Sequence, residues 1–210
     1  MFSFASVSQG SGSSSAAYLP RRSVTIYPTR ARFEAGMSRM FAASPASCRN
    51  SAILHVVIEA GAVEADLRCT PAGAKMLNLI GNILRARVRN GALAYLGDGK
   101  FGVLLQGVGA RDAVAYTKSV LKVIYEIRLP WNGKLLTVSA YVGGVTVDAP
   151  EDGMTLLDTA EAAGQLARDK FGMRIHMVRD RKENIQVWQE DLPDNVGHHS
   201  VRLNRNAAYA

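Results

Sequence analysis

The stretch "YLGDGKFGVLLQG", Tyr95 to Gly107, decides how the chain is read. It joins a glycine-rich turn to an apolar run. Asp98-Gly99 is a strong hairpin signal, because a two-residue turn between right-twisted strands needs positive φ at both central positions. "ALAYL" before it and "FGVLLQ" after it read as the two strands. Gly97-Asp98-Gly99-Lys100 therefore closes a β-hairpin, and two readings of its chemistry stay open. The turn is either a phosphate or metal loop, or a plain hairpin turn.

Working outward, "AILHVVIEA" (residues 52–60) is apolar and β-branched, as a buried strand should be. "PAGAKMLNLIGNILRARVR" comes next as a helix with Pro71 in its first turn. Leu77, Ile80, Leu84 and Val88 share one face, with Met76 and Ile83 beside it. "ARDAVAYTKSVLKVIYEIRL" repeats the pattern through Val114, Thr117, Leu121, Ile124 and Ile127. "PWNGK" reads as a turn, and "LLTVSAYVGGVTV" as one long strand broken at Gly143-Gly144. A third main helix starts at Asp152-Gly153, and "MRIHMV" is the last strand. Phe33, Met37 and Met40 mark a helix from about Thr29 to Ala43. "ASPASCRNS" then breaks the helical pattern.

The order β-α-β-β-α-β, with helices flanking a largely antiparallel sheet of about five strands, is the ferredoxin-like or nucleotidyl-cyclase-palm pattern, an α+β class. The expected division is a disordered segment at 1–21, a folded domain at 22–178 and a tail or linker at 179–210.

Composition excludes several classes. The chain has 210 residues, 48% of them apolar, which is enough for one domain with a core. Cys48 and Cys69 lack metal or redox spacing and suggest a reducing compartment. No stretch is long and apolar enough to span a bilayer, and the start lacks the pattern of a secretory signal. A cytoplasmic protein is expected. The formal charge is +7, and residues 1–50 hold six arginines against one glutamate. Such a segment can touch nucleic acid or anionic lipid, or can simply be solvated. His55 is expected as a buried core histidine with satisfied nitrogens. His198 and His199 stand without a cysteine or carboxylate cluster. Ser119 and Ser139 show no triad arrangement. Trp131 and Trp188 are too isolated for a stacking platform, so nucleic acid is not the expected partner.

Five segments, in order and across roughly Arg22 to Val178, resemble the GGDEF domain of diguanylate cyclases. "VTIYPTRARF" is similar to the family's "LTGLPNRxxF" at Thr25, Pro28, Arg30 and Phe33. "LHVVIEAGAVEAD" stands where the family has "LLxLDLDxFKxxND". "TPAGAKML" stands for "HxxGDxLL", matching at Gly73 and Leu77. "LAYLGDGKFGVLL" stands for "VARYGGDEFAVLL", matching at Gly97, Phe101, Val103, Leu104 and Leu105. "TVSAYVGGVTV" and "AEAAGQLARDKFGMRI" look like "TVSIGVA" and "ADxALYxAKxxGGNRV".

The resemblance implies a bacterial signalling protein of a family that condenses two GTP into cyclic di-GMP with two divalent cations. It also implies that the chemistry is lost here. The family's first-strand metal aspartate falls on Val57, and the acidic pair of the turn falls on Gly99 and Lys100. The guanine-reading asparagine and its partner aspartate fall on Ala65 and Ala74. A divalent cation about 4 Å from an ammonium is opposed by roughly 8 kcal/mol at an effective dielectric of 20. An ammonium also has no lone pair to give a metal.

The expectation is a catalytically degenerate GGDEF-like protein, a regulatory or interaction module without a metal cofactor. Its turn, Gly97, Asp98, Gly99, Lys100 and Phe101, keeps the hairpin and loses the acids. Lys100 and Arg168 are the candidates for holding a phosphate. Arg87 and Asn90 stand where the family's R-x-x-D product site keeps an arginine and a carboxylate. GTP or cyclic di-GMP, a protein partner, or a second copy in a homodimer are the partners to consider. The alternatives are an active cyclase whose Mg²⁺ is held by Glu59, Asp66 or Asp98, and a nucleic-acid binder using its basic N-terminal arm.

Overall fold

The computed structural model describes residues 27–59, 70–131, 133–147, 149, 152–171 and 175–179. The expected disordered segment, the C-terminal tail, Cys69, Ala65 and Asp66 lie outside the described residues. The elements run in order: α1 (Arg30–Ala43), α2 (Pro45–Cys48), β1 (Ser51–Glu59), α3 (Pro71–Arg87), β2 (Gly91–Gly97) and β3 (Lys100–Leu105). Then come α4 (Ala110–Glu126), β4 (Arg128–Trp131), β5 (Lys134–Thr137), β6 (Ser139–Val147), α5 (Gly153–Phe171) and β7 (Ile175–Arg179).

Five strands form one sheet in the order β2-β3-β1-β6-β7. β1 pairs antiparallel with both β3 and β6, while β7 pairs parallel with β6 through the α5 crossover. Side chains alternate across β1. Ala52, Leu54, Val56 and Ile58 join a core with Met76, Ile80 and Leu84 of α3 and Val114, Val120, Leu121 and Ile124 of α4. Ile53 joins a second core with Phe33, Met37 and Phe41 of α1 and Leu156, Leu157 and Ala160 of α5. The molecule is a three-layer sandwich, α3/α4 over the sheet over α1/α5.

Local chemistry fixes the helix starts. Thr70 accepts from the Gly73 amide at 3.2 Å, with Pro71 next in the first turn of α3. Asp152 accepts from the Met154 amide at 3.1 Å and Ser38 from the Gly153 amide at 2.9 Å, which ties α1 to the start of α5.

Three expectations are corrected. The long strand breaks at Val138 instead of at Gly143-Gly144, and "RLPW" and "KLLT" form a separate β4–β5 hairpin. "PASC" within the interruption winds into a helical turn. β6 runs through both glycines, because Gly143 is where α5 comes closest to the sheet. A β-carbon there would overlap the Ala160 carbonyl and the Gly164 amide.

Candidate functional site

The β2–β3 turn is built as its sequence requires. Asp98 (φ +47) and Gly99 (φ +72) are the two left-handed central residues, closed by the Gly97–Lys100 pair. The Gly99 amide donates to the Tyr95 hydroxyl at 3.2 Å, and the Gly99 carbonyl accepts from the Ile58 amide at 3.0 Å. Asp98 is exposed at the tip. Phe101 is fully buried, with ring centroids 5.2 Å from Tyr95 and 6.1 Å from Tyr27. It points into the α3 core. Lys100, one residue earlier, faces the opposite layer beside Val57, its register partner on β1.

On that side three elements, α1, β1 and β3, converge on one carboxylate, Glu161 of α5. Lys100 Nζ donates to its Oε1 at 3.1 Å, and Arg30 Nη1 donates to its Oε2 at 3.1 Å. Arg30 also pairs with Glu34 one turn along α1 at 2.7 Å, and with Asp158 of α5. Asp158 and Glu161 are three residues apart and so share one helix face. Partial burial pushes the Glu161 carboxyl up, but the hydrogen bond from Arg30, the field of His55 and the contact with Lys100 outweigh it. The net result is a carboxyl held below its ordinary range.

His55 lies beneath this cluster, 2% exposed, with Nε2 3.8 Å from Glu161 Oε1. The expectation of a satisfied core histidine is corrected: neither ring nitrogen has a hydrogen-bond partner. The nitrogen and the oxygen stop short of bonding distance, and Lys100 already holds that oxygen. Burial pushes the His55 pKa down to about 4. The pull of Glu161 opposes this, and the repulsion of Lys100 and Arg30 adds to it. The ring is neutral at neutral pH.

Arg168 pairs with Glu59 at 3.1 Å, so the two candidate phosphate ligands are each held by a separate carboxylate. Arg87 donates to the Ile83 carbonyl of its own helix at 3.4 Å. Asn90 is exposed, and its carbonyl accepts from the Gln106 amide at 3.0 Å. Sequence reasoning passed over Glu161, Asp158 and Glu34. Its one available signal was the i, i+3 acidic pair on α5, which alone resembles any solvated helix face.

No family model and no curated protein matches the sequence. Solved structures do match in fold. The active GGEEF domain of a diguanylate cyclase from Vibrio cholerae aligns with a TM-score of 0.62 at 12% identity, over 75% of this chain and 100% of that one. The fold is that of a GGDEF domain. The coiled-coil and GGDEF domain of DgcB from Caulobacter crescentus, in complex with c-di-GMP, gives 0.61 at 12% identity over 72% and 82% of the two chains. The GGDEF domain of TpbB or YfiN from Pseudomonas aeruginosa gives 0.57 at 22% identity over 73% and 92%. The mostly antiparallel five-stranded sheet with flanking helices expected from the sequence is the one found. No described helix is long and apolar enough to cross a membrane.

Proposed function

We propose that this GGDEF-like domain belongs to cyclic di-GMP signalling as a regulatory or interaction module and does not condense GTP. One observation carries the reading. Apart from Asp98 at the exposed tip, the described carboxylates nearest the turn are Glu161 and Glu59. Both are engaged by cations of this chain, Lys100 with Arg30 and Arg168 respectively. A divalent cation needs carboxylate oxygens free of competing ammonium and guanidinium groups. At the turn itself, Lys100 is a donor without a lone pair, and its register partner is Val57. The family's two-cation chemistry does not fit these residues, so no reaction step is assigned to it.

The test is a turnover assay with excess GTP and Mg²⁺, beside calorimetry with GTP and with cyclic di-GMP, each with and without Mg²⁺. The expected outcome is no cyclic di-GMP. Product above background that is lost on Asp98→Ala would instead establish the cyclase. Lys100 and Arg168 remain the candidates for a metal-free phosphate, and each must leave its carboxylate to take one. GTP binding without Mg²⁺ that falls on Lys100→Ala would place a nucleotide there. Cyclic di-GMP binding that falls on Arg87→Ala would place the ligand at Arg87 and Asn90.

A further inference from the structure

The two helical layers differ in charge. α1, Asp152 and α5 carry five cations and five acids. α3, the Arg89 just after it, and α4 carry seven cations and two acids. α3 has no acid at all. On α4 the acids stand at the ends, Asp112 in the first turn and Glu126 at the last residue.

The cations are arranged as well as numerous. Lys75, Asn78, Asn82 and Arg85 are all exposed, and their spacing of 3, 4 and 3 puts them on one side of α3, with exposed Arg89 two residues beyond its end. At 1.5 Å per residue the helical stripe from Lys75 to Arg85 is about 15 Å long. On α4 the exposed Arg111, Ala115 and Lys122 and the half-buried Lys118 line the side away from its buried face. The two helices pack against each other on the same side of the sheet. Packed helix axes lie about 8–10 Å apart, so the stripes form one face. Among the described residues Lys75, Arg85 and Arg89 form no ion pair, whereas Arg30, Lys100 and Arg168 on the other side are all paired. The chain enters the described fold at Tyr27, over whose ring Arg85 stacks at 4.9 Å. The sequence just before Tyr27 holds Arg21 and Arg22.

We infer that the α3–α4 face binds the phosphate backbone of a nucleic-acid duplex without reading its sequence. Every polar group along the α3 stripe can donate a hydrogen bond to a phosphate oxygen, and none is anionic. A protein partner would need an apolar or aromatic centre. The face offers one exposed large apolar side chain, Leu79. A membrane surface would need several. Single strands are held by stacking on exposed aromatic rings. Tyr116 of α4 does not offer one, because it is half-buried and donates to the Leu84 carbonyl at 3.3 Å. A rigid array of phosphates is the remaining complement. This surface is a helical face, so it escapes the objection that the sheet lacks a stacking platform.

The experiment uses the full chain and a labelled duplex of about 20 base pairs, roughly 68 Å long and so longer than the face. Fluorescence anisotropy is followed between about 50 and about 200 mM salt. Wild type is expected to bind with a log–log salt slope of about −3 to −5, and about equally to unrelated sequences. The Lys75→Glu/Arg85→Glu/Arg89→Glu variant is expected to lose at least about tenfold in affinity. Its unchanged circular-dichroism melt would show that the fold persists. Arg32→Glu/Arg39→Glu, on the exposed side of α1, is expected to lose far less. Four results would overturn the proposal: no wild-type binding at low salt, an equal loss from the α1 variant, a loss confined to Arg21→Glu/Arg22→Glu, or binding to anionic vesicles but not to the duplex.

Discussion

The two sides of the central sheet are stabilised by the same means and finished differently. Each buries an apolar strand face under two helices. On the α1/α5 side, the charges gathered around Glu161 and Glu59 are satisfied internally: Arg30, Lys100, Glu34, Asp158 and Glu161 form one network, and Arg168 with Glu59 a second pair, while Arg32 and Arg39 stay exposed. On the α3/α4 side the charges point outward and are nearly all of one sign. Internal pairing fixes elements relative to each other but leaves little field for a ligand. Clustered like charges repel and cost some stability, and they create a field that attracts a polyanion. The contrast separates a side that holds shape from a side suited to contact.

The largest expected effect lies on the paired side, at the Gly143–Gly164 approach. Gly143→Val must push α5 off the sheet and should cost more than about 3 kcal/mol, measured by urea unfolding. A normally stable variant would show that α5 is not held so closely.

Acid is the next lever. His55 is neutral in the fold with a pKa of about 4, against an ordinary value of 6.5. Between these values the unfolded chain takes up a proton that the native chain refuses, so stability is full above pH 6.5 and falls as pH drops towards 4. The most that this shift can remove is about 3 kcal/mol. His176 is shifted down by burial and acts with the same sign. Glu161, held low, loses its contribution only as pH falls further, through its own folded-state value. The drop in stability between neutral and mildly acidic pH should shrink in His55→Leu. An identical drop in that variant would remove His55 from the account.

Glu161→Ala should cost about 1 kcal/mol, since its partners are about one-third exposed and can turn to water. Smallest of all, the reversals at Lys75 and Arg89 should move stability by no more than about 0.5 kcal/mol each. A large loss there would mean that the outward charges are structural after all.

Much of the fold was legible because its signals are local. Asp98-Gly99 specified the hairpin, and 3.6-residue periodicity located α3 and α4 and most of their buried faces. Pro71 and Thr70 marked where α3 begins. The β4–β5 hairpin was missed because Pro130 argues against a strand, although an edge tolerates it. The Gly143-Gly144 pair looked like a break because the closeness of α5 is a tertiary fact. The site was half legible. Sequence placed Lys100 and Arg168 near the turn and identified them as cations. It did not show that each already had a carboxylate, because Lys100 meets Glu161 across 61 residues of chain. His55 was recognisable as buried, but a competition for a single oxygen atom leaves no trace in a residue pattern.

The strand order β2-β3-β1-β6-β7 also dictates a sequence of events in time. β2 and β3 are joined by a two-residue turn, and such a hairpin closes in about 1–10 μs. β1 precedes both in the chain, yet must find β3 on one side and β6 on the other. Its partners are remote in sequence, so it is added only after long loops have closed. The first strand of the described fold is thus expected among the last to be locked in place. Its amides, hydrogen-bonded on both sides, should be among the slowest in the molecule to exchange with heavy water.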